Sequence, residues 1–178
     1  MNRHHTRDMV YIAVFSALIT ICSWIAIPTA VPITLQTLGV FLAVGLLGGR
    51  RGTTAVLTYI LMAAVGLPVL AGFRGGIGAL LSNTGGYVLG FLLSALLMWA
   101  MEKLPGNRMI LSALSMLLGL LVCYGFGTIW FLALYARSGQ STAIGTVLAT
   151  CVVPFILPDI AKIAAAIILT RRLKKHIH

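Results

Sequence analysis

One stretch decides the fold of this chain: residues 154–162, with the sequence PFILPDIAK. Within it, Asp159 is one of only three acidic residues in the protein, and Lys162 is a cation deep inside an apolar segment. On a helix these two residues are i and i+3, so their side chains share one face. A charge at bilayer depth costs roughly 2.5–3.5 kcal/mol on insertion scales, and such residues usually handle a ligand, an ion or a proton. The alternative is a private Asp159–Lys162 ion pair that holds helices together.

The composition places the whole chain in a membrane. Of its 178 residues, 60% are hydrophobic and 9% are charged, whereas soluble domains carry about 25% charged residues. The net charge of +10 would suit nucleic acid, but the basic residues cluster in short segments between apolar runs. We therefore expect a polytopic membrane protein that contacts anionic lipid and binds no nucleic acid.

Six apolar segments predict an all-α bundle of six transmembrane helices in a single domain, residues 1–178. They cover residues 9–27, 33–49, 52–71, 85–101, 109–135 and 154–173. Pro68 should kink or end the third segment. Residues 28–32 form a short linker, residues 137–141 a loop, and residues 142–153 a shallow or lateral segment.

The charges predict the orientation of this bundle. If the N-terminus is cytoplasmic, ten basic residues lie inside and two lie outside, a strong bias under the positive-inside rule. The inner set is Arg3, Arg7, Arg50, Arg51, Lys103, Arg108, Arg171, Arg172, Lys174 and Lys175, and the outer set is Arg74 and Arg137. Both termini are then cytoplasmic, with short basic tails at residues 1–8 and 171–178.

Polar residues from three regions fall at one depth in this topology, near the outer side. Besides Asp159 and Lys162 they are Gln36, Arg74, Asn83 and Tyr87. A glycine-rich stretch at residues 72–86 joins them, and irregular backbone near a membrane is tolerated where it lines a cavity. We therefore expect a ligand pocket that opens outward. Four aromatic residues are either cavity lining or packing: Phe41, Tyr124, Trp130 and Tyr135.

Other sequence signals bear on packing and chemistry. Small residues recur at every fourth position and predict close helix packing: Ala13 and Ala17; Gly86, Gly90 and Ser94; Gly119, Cys123 and Gly127. No G-x-x-x-x-G-K-[ST] motif occurs, so the chain has no phosphate-binding loop of its own. The cysteines lack C-x-x-C spacing and the histidines lie in the tails, so we expect no metal site.

Several stretches together resemble the BioY family, the biotin-binding S components of energy-coupling factor (ECF) transporters. They are residues 31–39 (VPITLQTLG), 48–52 (GGRRG), 65–72 (VGLPVLAG), 84–87 (TGGY) with Gly90 and Phe91, and 154–159 (PFILPD) with Lys162. The family usually has Gly-Pro before Thr-Gly-Gly-Tyr, whereas this chain has Ser82 and Asn83.

The resemblance implies a six-helix S component in the plasma membrane of a bacterium. It implies biotin as the ligand, no cofactor, and partners that consist of one transmembrane coupling subunit and two ATPase subunits, which alone use ATP. It also implies that Ala13 and Ala17 form the docking face for the coupling subunit. The alternatives are an S component for another small vitamin, an intramembrane enzyme built on Asp159, and a structural scaffold.

Overall fold

The computed structural model describes residues 3–27, 32–137 and 143–177, and within them the chain is helical apart from one small hairpin and the connecting loops. The helices are α1 Arg3–Trp24, α2 Gln36–Leu47, α3 Gly49–Ala64, α4 Ile77–Leu80, α5 Gly85–Glu102, α6 Arg108–Arg137, α7 Ile144–Cys151 and α8 Val153–Ile177. The strands β1 Ala26–Ile27 and β2 Ile33–Thr34 pair antiparallel. The predicted linker at 28–32 and loop at 137–141 fall mostly outside the described residues.

Among the described helices, four are long and apolar enough to cross a membrane: α1, α5, α6 and α8. The second and third predicted segments form shorter helices, α2 with 12 residues and α3 with 16. These two helices run antiparallel, because Gly48 turns the chain with a φ of 82° and Gly52 then packs against the backbone of Val44. The chain therefore has an all-α membrane architecture in which α2 and α3 make one hairpin.

The predicted extension of the third segment to residue 71 is wrong. Helix α3 ends at Ala64, before Pro68 is reached. Gly66 follows with a φ of 98°, a conformation that glycine adopts readily and that stops a helix. Residues 65–76 then form an irregular loop, which is held by hydrogen bonds from Gly76 N to Ala63 O and from Leu70 N to Arg74 O.

Helices α5 and α6 pack through the small residues that the sequence spacing singled out. A side chain at Gly90 would come within 3.1 Å of the Cα of Cys123, and one at Gly119 would collide with Ser94. The space beside Gly86 is occupied in the same way by the Trp130 side chain, and the space beside Gly127 by the Tyr87 ring. The prediction that these small-residue faces allow close helix packing is confirmed, and the structure shows that they face each other.

Helix α1 presents two different faces. Its buried face packs on the α2–α3 hairpin, where Ile19 lies against Gly39 and the Ser16 hydroxyl donates to Ala55 O at 2.9 Å. Ala13 and Ala17 lie on the opposite, exposed face. Exposed apolar neighbours extend this face: Val10, Val14 and Ile21.

The opposite ends of the bundle are built differently. At one end, which we call the basic end, Arg51 of α3 pairs with Asp8 of α1 at 2.9 Å, and the Glu102 carboxylate accepts the Gly49 N–H at 2.6 Å. These contacts lock the α2–α3 turn to α1 and α5. The other end carries the loop at 65–76, α4 and the start of α8, where Pro158 lies inside the helix and removes one backbone hydrogen bond.

Candidate ligand-binding cavity

A cavity lies at the loop-rich end, between α2, α5, α6 and α8. It encloses about 840 Å³ of empty space, a figure that includes the part open to solvent. Its polar lining includes Thr34, Gln36, Thr37, Arg74, Ser82, Tyr87, Tyr124, Asp159 and Lys162, and its apolar lining includes Leu70, Val88, Phe91, Leu120 and Phe155.

A buried ion pair forms the polar centre of this cavity. Asp159 is 2% exposed and Lys162 is 7% exposed, and the Lys162 ammonium lies 2.7 Å from Oδ1 of the carboxylate. The Tyr124 hydroxyl of α6 donates to the other carboxylate oxygen, Oδ2. A carboxylate offers about four acceptor positions. Asp159 can therefore still accept hydrogen bonds from a ligand while it remains paired.

A second polar group, Gln36, is oriented from behind the cavity. The Tyr59 hydroxyl donates to Val69 O at 3.2 Å, and a carbonyl can only accept. The single proton of Tyr59 is thus used, so its oxygen must accept from Gln36, whose Nε2 lies 2.8 Å away. This arrangement fixes the amide with its nitrogen towards Tyr59 and leaves the Oε1 acceptor for the cavity. Ser23 supports the same carbonyl by donating to Val69 O.

Tyr87 and Arg74 complete the polar lining nearer the mouth. The Tyr87 hydroxyl lies 3.3 Å from Thr128 Oγ1, and its ring fills the gap at Gly127. Arg74 is exposed, and its Nε donates to Ala71 O at 3.1 Å within the loop at 65–76. Its guanidinium keeps further donors free to meet an anion.

Comparison with known proteins gives the family of this fold and site. The profile of the BioY family matches residues 1–178. The chain belongs to the BioY family. A protein named Biotin transporter BioY from Thermotoga maritima is 38% identical over 171 residues, which cover 95% of this chain and 96% of that protein.

Further BioY relatives agree with this assignment. A Biotin transporter BioY from Rhizobium etli is 37% identical over 180 residues and covers 93% of this chain and 92% of that protein. A crystal structure described as the S-component for biotin from an ECF-type ABC transporter superposes with a TM-score of 0.85 at 30% identity. That match covers 99% of this chain and 95% of the other, so the two folds correspond throughout.

Five of the six predicted binding residues line the cavity of this BioY-family chain: Gln36, Arg74, Tyr87, Asp159 and Lys162. Asn83 does not, because its side chain is exposed and outside the cavity lining. The docking residues Ala13 and Ala17 also lie outside the lining, as their assignment requires. No group of three metal-ligating side chains occurs among the residues that the structure describes.

The four aromatic residues that the sequence could not assign to either the cavity lining or packing have different surroundings in the structure. Tyr124 lines the cavity and binds Asp159. Phe41 is 1% exposed within the apolar core. Trp130 donates to Ser82 O at 3.2 Å, and Tyr135 stacks on Phe131 with ring centroids 4.7 Å apart. Sequence reasoning missed Tyr59 altogether, because a tyrosine in an apolar helix gives no sign of the partner that its hydroxyl meets.

Proposed function

We propose that this chain is the substrate-binding S component of an ECF-type transporter, which captures biotin and delivers it inward with an ATP-driven partner module. The observation that carries the proposal is the buried Asp159–Lys162 pair inside a cavity of a BioY-family fold. The family assignment makes the chain a transporter component and not an enzyme. The private ion pair expected as the alternative does form, but both of its residues also line the cavity.

The charge of the lining suits biotin. Among the described residues, the cavity is lined by two cations, Arg74 and Lys162, and one anion, Asp159. The surplus positive charge matches the single negative charge of the biotin valerate. Apolar walls at Val88 and Phe91 suit the thioether ring, as expected of a site with few convergent polar groups.

The depth of each group indicates how the ligand is oriented. Asp159 is buried and is an acceptor, which suits the two ureido N–H donors of biotin. Gln36 adds a second acceptor through Oε1. Arg74 is exposed at the mouth, where the charged valerate keeps part of its hydration. We therefore place the ureido ring deep and the carboxylate near Arg74.

Equilibrium binding of radiolabelled biotin to purified protein in detergent tests the function. Saturable one-to-one binding without chemical change of the ligand supports it, and unlabelled thiamine or riboflavin serves as a control that should not compete. Competition by one of those vitamins and not by biotin would point to an S component for another vitamin. Turnover of a lipid or peptide would favour an enzyme, and no binding at all would leave a structural scaffold.

Six membrane-embedded helices, with both termini in the cytoplasm, belong to this proposal. The α2–α3 hairpin would supply the second and third spans, and the plasma membrane of a bacterium would be the location. Support comes from the basic end, since Arg50, Arg51, Lys103 and Arg108 lie at or next to the helix ends there. Cysteine labelling with an impermeant reagent tests the orientation: a thiol at Arg108 should react only after the cells are opened.

Docking to the transmembrane coupling subunit, with two ATPase subunits beyond it, would use the exposed face of α1. Ala13 and Ala17 leave a flat strip there that a partner helix can approach closely. Ala13→Trp and Ala17→Trp should block co-purification with the coupling module and leave biotin binding unchanged. Leu121→Trp, at an exposed position on α6 and away from α1, is the control. If both alanine variants still assemble, the strip faces lipid only.

A further inference from the structure

A second cavity lies at the basic end, away from the ligand-binding cavity. It encloses about 1160 Å³ of empty space, including the part open to solvent, between the ends of α2, α5, α6 and α8. Lys103, Arg108 and Lys174 line it; the first two flank the α5–α6 connection, and the third lies near the end of α8. Nothing in the proposed transport function uses these residues.

The charge of this cavity is not balanced by the protein. Among its described lining residues, three are cationic and one, Glu102, is anionic. The Glu102 carboxylate already accepts the Gly49 N–H at 2.6 Å, which fastens it to the start of α3. Lys103 rests on the Trp99 ring at 5.6 Å from its centroid, a contact that neutralises no charge. An anion is therefore the ligand that the lining calls for.

The start of α6 adds to the positive potential. Arg108 is the first residue of this 30-residue helix, and Leu111 and Ser112 of its first turns also line the cavity. A helix N-terminus carries roughly half a positive charge from the aligned peptide dipoles. Phosphate groups bind well where such a terminus and several cations meet.

Part of the wall below the cations is apolar. Val44, Met98, Met101 and Leu111 line it on the bundle side, and Leu104, which is 52% exposed, lines it near the surface. A free phosphate would leave this wall without a partner, whereas an acyl chain would cover it. A cationic rim above an apolar wall is the pattern that a phospholipid fits, with its headgroup outward.

We propose that this cavity binds one anionic phospholipid from the leaflet at the basic end, with its phosphate among Lys103, Arg108 and Lys174. The bound lipid would bridge α5, α6 and α8 where direct contacts between them leave an opening. The proposal concerns a site separate from the biotin cavity and does not depend on which vitamin the chain carries.

The test compares lipid retention by native mass spectrometry after purification from phosphatidylcholine mixed with a minority of phosphatidylglycerol. Wild type should retain one phosphatidylglycerol. The triple variant Lys103→Gln, Arg108→Gln, Lys174→Gln should lose it, since each cation near a membrane surface contributes about fivefold in affinity, or on the order of 100-fold for three. The matched control Arg171→Gln, Arg172→Gln, Lys175→Gln removes the same charge outside the cavity and should retain the lipid.

A variant that changes no charge distinguishes binding in the cavity from general electrostatic attraction of anionic lipid to the basic end. Ser112→Phe fills the cavity without changing any charge and should also release the lipid, while biotin binding reports that each variant is folded. Equal retention by both triple variants, or equal loss from both, overturns the site. In bilayers of phosphatidylcholine alone, millimolar inorganic phosphate should not raise Tm. If phosphate raised Tm as much as phosphatidylglycerol does in the same bilayers, the cavity would bind a free anion and the lipid proposal would be overturned.

Discussion

Removing the charge of Asp159 separates the two roles that its position allows. Asp159→Asn keeps the shape of the side chain and leaves the Lys162 ammonium, which is 7% exposed, without its ion-pair partner. Removing one member of a buried pair typically destabilises a protein by roughly 3–5 kcal/mol. Removing both charges with Asp159→Asn, Lys162→Met should recover most of that loss, because no unpaired charge remains.

Biotin binding should follow a different course in the same three variants. A lost hydrogen bond to a charged group costs about 1.5–3 kcal/mol, which is roughly 10- to 150-fold in Kd. Asp159→Asn should weaken binding by this factor, and the double variant should not regain it, because the ureido N–H groups still lack a charged acceptor. Stability is therefore restored by the second change while affinity is not.

Thermal unfolding in detergent and equilibrium biotin binding measure the two quantities on the same samples. The Asp8–Arg51 pair provides the control, since its side chains are 31% exposed and lie outside the ligand-binding cavity. Asp8→Asn should change stability by only about 0–1 kcal/mol and leave Kd unchanged. If the double variant at 159 and 162 binds biotin as wild type does, the pair is structural and the ligand assignment is refuted.

Three further predictions test other parts of the site. Arg74→Gln should weaken binding of biotin but not of biotinamide, which lacks the carboxylate, as measured by competition. Tyr59→Phe frees the Gln36 amide to rotate and should raise the Kd for biotin about 2- to 12-fold, the equivalent of one neutral hydrogen bond. Gly90→Leu must displace the backbone at Cys123 and should lower stability by about 1–3 kcal/mol in thermal unfolding.

Each of these three has its own control and contrary result. If the Arg74 variant lost affinity for biotin and biotinamide equally, the biotin carboxylate would not lie beside Arg74 at the mouth. Ser23→Ala removes the other bond to Val69 O, together with a bond to Thr20 O within α1, and leaves the Tyr59–Gln36 bond in place, so it should spare affinity. An equal loss of affinity there would mean that Tyr59 only supports the loop at 65–76. Unchanged stability with leucine at Gly90, against Gly125→Leu in open space on the same helix pair, would contradict the close packing of α5 and α6.

The sequence predicted the parts of this structure that rest on strong local energies. A charge in an apolar segment is so costly that Asp159 and Lys162 could be assigned to a polar site without knowledge of their neighbours. The four-residue spacing of Gly86, Gly90 and Ser94 likewise predicted a close helix contact. The pairing of that face with α6 is consistent with the spacing of Gly119, Cys123 and Gly127 there.

The remaining details depend on contacts between distant residues. Tyr59 orients Gln36 across 23 positions, and Tyr124 meets Asp159 across 35, separations over which no sequence pattern acts. The polarity of Asn83 favoured a place in the cavity, yet the turn before α5 directs it outward. The early end of α3 follows from the backbone of Gly66, whereas Pro68 was the more conspicuous signal.

The layer between the two cavities explains why such a chain would need partners to move its ligand. The ligand-binding cavity reaches as far as Leu120 and Lys162, and the cavity at the basic end begins at Val44 and Met98. Side chains between these levels are almost completely buried: Val40, Phe41, Ala95, Met116 and Ala166 are each at most 1% exposed. A carboxylate that crossed this apolar layer would lose its hydration without gaining a partner. Moving the helices of this layer apart would expose its packed side chains, at a free-energy cost of roughly 25 cal/mol for each Å² of apolar surface exposed to water. Under the proposed function, capture would leave this layer unchanged, whereas release at the basic end would require work on the fold, which is the role proposed for the ATP-driven module.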